Sequence, residues 1–159
     1  MQPLQPLEPQ LVRQIDLLSN SAVALSLMAV RIPNLPRRSA AAAVIAAAGA
    51  TDLIGWLNDG SLGVFTLRSS IPDDGSDIDG SFLLHLQSYL RNDFVPNGGI
   101  DALIAFRSVH VWSSEVTDAD DLIAALFAVP AAIVDIGLAP AGMPAMLCRP
   151  EPSRPYLWP

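Results

Sequence analysis

The stretch Asp52-Leu-Ile-Gly-Trp-Leu-Asn-Asp-Gly-Ser-Leu-Gly-Val-Phe-Thr-Leu67 sets how the rest of the chain is read. Two short apolar runs, Leu53 to Leu57 and Leu62 to Leu67, flank Asn58-Asp59-Gly60-Ser61. Asp-Gly between apolar runs signals a β-hairpin, because the turn needs a residue at positive φ. Upstream, Ala22 to Ile32 reads as a strand buried on both faces. Val23, Leu25, Leu27 and Ala29 alternate with Ala24, Ser26, Met28 and Val30, and both sets are mostly apolar. Asn34-Leu35-Pro36 then reads as a helix start, with Asn34 as cap and Pro36 in the first turn. That helix runs through the alanine block and stops at Gly49.

Downstream, Ile71 to Gly80 reads as a polar loop. Ser81 to Phe94 reads as an amphipathic helix, with Phe82, Leu86, Tyr89, Leu90 and Phe94 at helical spacing. Asn97-Gly98-Gly99 is a turn. Ala102 to Trp112 is a long strand with Ile104, Phe106, Ser108, His110 and Trp112 on one face. Thr117-Asp118 opens a last helix, whose stripe is Leu122, Ile123, Leu126 and Phe127. Residues 10–19 fit one further short helix, carrying Leu11, Ile15 and Leu18. The order predicts an α+β domain with a single, mainly antiparallel sheet covered by helices. The expected division is a Pro-rich tail and short helix over 1–19, the α+β domain over 20–130, and an apolar, then Pro-rich extension over 131–159.

Composition narrows the function classes. The chain has 159 residues and a net charge of -7, with only 16% charged and 51% hydrophobic residues. That balance excludes a disordered chain. All nine basic residues are Arg, and only Arg37 and Arg38 are adjacent, which argues against a nucleic-acid binder. The single Cys148 rules out an internal disulfide framework and a cysteine zinc site. The N-terminus lacks the pattern of a secretion signal, and no apolar run reaches the roughly 20 residues that span a bilayer. A soluble, cytoplasmic protein is expected.

Candidate chemistry is sparse. The acidic loop Asp73 to Gly80 invites a calcium reading, but that spacing puts Gly75 at the first ligand and Leu86 at the closing carboxylate. It reads better as a solvated connector. His110, Glu115 and Asp118 near a strand end suggest acid–base or metal chemistry, set against a half-buried structural histidine. Cys148 has the setting of an inert small hydrophobe. Arg37 and Arg38 sit at the positive end of a helix, where their charge is mildly unfavourable. With Arg31 they suggest an anion site or a partner contact, against the plainer reading of solvated side chains. No cofactor and no metal site is expected.

The Asp52 to Leu67 stretch resembles the central hairpin of the GGDEF (diguanylate cyclase) family, which has the nucleotidyl-cyclase-like fold. The turn Asn58-Asp59-Gly60-Ser61-Leu62 stands where that family has its signature. The element order agrees over roughly residues 20–128, and Thr117-Asp118-Ala119-Asp120-Asp121-Leu122 is similar to the acidic start of the family's last helix. The resemblance implies a ferredoxin-like, nucleotidyl-cyclase-like βααββαβ variant.

The departures bear on chemistry. The family's catalysis uses metal-binding carboxylates on the first strand and in the turn. The corresponding positions here are Ala29 and Arg31, then Gly60 and Ser61, with Asp59 displaced by one. Its inhibitory cyclic dinucleotide site uses Arg-x-x-Asp; Asp52 matches, but Gly49 replaces the Arg. The resemblance therefore implies a fold with its cyclase chemistry lost, and no enzyme is expected. The first functional expectation is a non-catalytic module in a bacterial cell, binding a protein partner or a second copy. Pro155-Tyr156-Leu157-Trp158-Pro159 would then serve in docking, or else pack on its own domain. The second is a sensor of a nucleotide or other small anion near Arg31, Arg37 and Arg38. The third is an enzyme using His110, Glu115 or Asp118.

Overall fold

A computed structural model describes residues 4–18, 21–68, 76–93 and 103–135. The elements run α1 (Glu8–Leu17), β1 (Ala24–Arg31), α2 (Arg37–Ala47), β2 (Leu53–Trp56), β3 (Leu62–Arg68), α3 (Ser76–Asp93), β4 (Leu103–Trp112), α4 (Ala119–Phe127) and β5 (Ala132–Asp135). The five strands form one antiparallel sheet in the order β2-β3-β1-β4-β5. This is the expected α+β class with a single sheet. The inner βαββαβ unit, with its first strand between the third and the fourth, is a split βαβ arrangement.

β1 is central because it is apolar on both faces. It pairs with β3 from Ala24↔Arg68 to Val30↔Leu62, and with β4 from Ala24↔Trp112 to Arg31↔Ala105. Helices cover both sides. Met28, Val30, Leu62, Val64, Ile104 and Phe106 pack with α2 and α3. Leu25, Leu27 and Phe65 pack on the opposite face with Leu11 and Ile15 of α1 and Leu122 and Leu126 of α4. Of the flanking segments in the expected division, α1 packs into the cluster on one face, while β5 adds the edge strand beside β4 and buries Val134 in the cluster on the other.

Three local readings differ from the structure. Helix α2 begins at Arg37 with Pro36 as its N-cap and no side-chain cap bond, so Asn34 is not its cap. It ends at an extended Ala48, and the Gly49 N–H bonds to Asp52 Oδ2 at 2.8 Å. Gly49 therefore does not provide a left-handed stop; among the described residues only Gly60 has positive φ, at 87°. Helix α3 starts at Ser76, five residues before the expected start, so Asp77 to Gly80 are helical. An acidic first turn suits the positive end of a helix, and that outweighs the loop-like composition.

The N-terminal segment covers the outer edge of β2. The Leu7 N–H donates to the Trp56 carbonyl at 2.9 Å, and the Trp56 N–H donates to that of Gln5 at 3.0 Å. The approach requires glycine at position 55. A Cβ there would lie 2.6 Å from the Gln5 carbonyl oxygen and 2.8 Å from the Leu7 nitrogen. An exposed edge strand is thereby paired with its own chain.

Candidate functional site

The hairpin turn and the end of β1 meet around one charge pair. Gly60 supplies the positive φ, and Asp59 Oδ1 accepts from the Ser61 N–H at 3.0 Å and from its hydroxyl at 2.6 Å. This Asx-type closure fixes the Asp59 carboxylate. Its Oδ2 lies 3.4 Å from Arg31 Nη2, and the same guanidinium donates to the Asp59 carbonyl. Arg31 reaches the turn because it is the last residue of β1, beside the strand pair Val30↔Leu62 that opens the hairpin.

A cavity of about 300 Å³ opens beside this pair, at the C-terminal end of β1 and the start of α2. Arg31, Arg37, Trp56, Asp59, Gly60 and Leu62 are among its walls. The Arg37 guanidinium lies 4.1 Å from the centre of a Trp56 ring, which holds this exposed side chain in a cation–π contact. Two of the three arginines singled out in the sequence thus share one cavity with Asp59 and Gly60 of the β2–β3 turn. Arg38 is exposed and is not among the described residues that line it. Among the turn residues, Asn58 Nδ2 donates to Glu8 Oε2 at 3.3 Å, away from the cavity, and Leu62 is buried in the core.

A divalent cation at this turn would need several oxygen ligands. Ala29 has none, Ser61 is tied to Asp59, and Asp59 already faces a guanidinium. These residues do not fit such an ion. No group of three or more His, Cys, Asp or Glu suited to a metal occurs among the described residues.

A second polar cluster lies under α3. His110 Nδ1 is 2.7 Å from Ser26 Oγ, and His110 Nε2 is 3.0 Å from Asp79 Oδ1. The Ser108 hydroxyl donates to Asp79 Oδ2 at 2.7 Å. A carboxylate only accepts, so Nε2 carries the proton directed at Asp79, and in the neutral ring Nδ1 takes the Ser26 hydroxyl. The composition is that of a serine-hydrolase triad, but Ser26 has no exposed surface. An acyl substrate cannot reach it, so the cluster ties β1, β4 and α3 together. Asp79 is the member that the sequence reading missed. Its signal was the i, i+3 and i+4 relation to Phe82 and Leu83 on the buried side of the helix.

The residues named for acid–base chemistry are not brought together. Glu115 Oε1 accepts from the Trp112 N–H at 2.8 Å, and Asp118 caps α4 by accepting from the Asp121 N–H at 2.8 Å. Each has a local structural bond, while His110 engages Ser26 and Asp79. Tyr156, Leu157, Trp158 and Cys148 lie outside the described residues, as do Asp73 and Asp74 of the acidic segment. No helix among the described residues is long and apolar enough to cross a membrane. Neither a protein-family model nor a curated protein matches the chain.

Proposed function

We propose that the chain is a non-catalytic, cyclase-like module that acts by binding a protein partner, in a regulatory or assembly role in a bacterial cell. The observation that carries the non-catalytic half is the Arg31–Asp59 pair. The one carboxylate of the signature-like turn is neutralised by an arginine from the first strand. Metal-assisted attack on a triphosphate needs that strand and that turn to hold cations. Leu17, Leu67 and Trp112, at 75%, 46% and 40% exposure, support the binding half as apolar surface available to a partner. Calorimetric titration of GTP with and without Mg²⁺ tests the reading. Heat that appears only with the metal contradicts it, and the same response in both arms agrees with it.

The cavity beside the pair favours a second reading, a sensor of a small anion or nucleotide. Arg37 is held over Trp56 and borders a space at the low end of ligand-pocket sizes. Thermal shift with ATP, GTP and inorganic phosphate, on the native chain and on Arg37→Ala, tests it. Stabilisation lost in the variant supports the sensor, and none in the native chain dismisses it.

A further inference from the structure

A separate cavity of about 360 Å³ opens at the other end of the sheet, between the end of α2, the end of β3 and the first half of α3. Its buried floor includes Met28 and Phe82, and its walls carry the hydroxyls of Thr66 and Ser81. Two opposite charges border it, Asp52 and Arg68. Register explains their placement. Leu53 is opposite Phe65, so position 52 comes level with Thr66, and Arg68 follows two residues further along β3. Asp52 is fixed by the 2.8 Å bond from the Gly49 N–H. Among the described residues no ion pair joins Asp52 to Arg68, so the two face one cavity without pairing with each other.

From this we infer a binding site for a free L-amino acid with an apolar side chain. The class follows from the lining. Asp52 offers an anionic partner for an α-ammonium group, and Arg68 offers a guanidinium fork for an α-carboxylate. The hydroxyls of Thr66 and Ser81 supply further hydrogen-bonding capacity, and the apolar floor takes the side chain. A lone anion would meet Asp52, and a lone cation would meet Arg68. A zwitterion matches both charges. The site is independent of the first cavity and of the role proposed above, since it shares no lining residue with the Arg31–Asp59 turn.

The test is thermal shift and calorimetry on the full chain with L-leucine and L-phenylalanine. Phenethylamine and 3-phenylpropionate, which keep one charge each, are the comparison ligands, together with cyclic diguanylate. Saturable stabilisation by an L-amino acid is expected, with either one-charge analogue weaker by about tenfold or more. Arg68→Gln and Asp52→Asn should each lower affinity by about tenfold or more, and Arg37→Ala should leave it unchanged. The ligand comparison on the unaltered chain decides the matter even where a variant fails to fold. No stabilisation by either amino acid up to about 10 mM would overturn the inference. So would equal binding of 3-phenylpropionate, or competition by cyclic diguanylate at lower concentration than the amino acid.

Discussion

Arg31 at the end of β1 and Asp59 in the β2–β3 turn form an ion pair at 3.4 Å, across a sequence separation of 28 residues. Two features follow from it. The turn is tied to the central strand, and its single carboxylate is committed to a guanidinium.

Removing either partner should distinguish the two features. The pair is partly exposed, at 23% and 33% for the two side chains, so Arg31→Ala should cost no more than about 1 kcal/mol in urea unfolding. Asp59→Ala should cost more, about 1–2 kcal/mol, because the Ser61 N–H and hydroxyl lose their acceptor as well. An equal cost for both would mean that the ion pair outweighs the turn closure.

The buried tie under α3 predicts a non-additive pair. His110→Ala leaves the enclosed Ser26 hydroxyl without its partner and should cost about 1–3 kcal/mol. In Ser26→Ala/His110→Ala the second substitution should cost less than it does alone, a coupling of about 0.5 kcal/mol or more by double-mutant cycle. Additive costs would show that the 2.7 Å contact contributes nothing.

Backbone proximity gives a stricter test at Gly55. A Cβ at that position would meet the backbone of Gln5 and Leu7, which cannot give way as a side chain can. Gly55→Ala should destabilise by about 1–3 kcal/mol and increase hydrogen exchange at the Leu7 amide, which bonds to Trp56. Unchanged exchange at Leu7 would mean that the N-terminal segment does not depend on this approach.

The C-terminal segment enters through a truncation. If Tyr156, Leu157 and Trp158 dock onto a partner or a second copy, removing residues 150–159 should lower the oligomeric state or abolish partner capture, with little change in melting temperature. A chain whose melting temperature falls and whose association is unchanged would show that the segment packs on its own domain.

Most of the sheet was legible because its strands are long and patterned. The two apolar alternations of Ala24 to Val30 announced burial on both faces, and Asp59-Gly60 announced the turn. β5 was hidden because it is only four residues long, set between Pro130 and its own closing Asp135, too short to show a period. The start of α3 was hidden by composition, as Ser, Asp and Gly favour both loops and first turns. That error concealed Asp79, and with it the His110 network. The Arg31–Asp59 pair was hidden for another reason. Each residue was visible, but their meeting depends on strand pairing that places the end of β1 beside the turn. The second cavity was equally out of reach, because Asp52 comes from the α2–β2 connection, Arg68 from β3 and Phe82 from α3.

The most direct measurement of the central claim is turnover. The purified chain is incubated with GTP and either Mg²⁺ or Mn²⁺, and pyrophosphate and cyclic dinucleotide are quantified beside a metal-free control. The Arg31–Asp59 pair predicts no metal-dependent product above that control. Metal-dependent pyrophosphate release that disappears in Asp59→Asn would contradict the account, because the carboxylate would then be holding a cation and not Arg31.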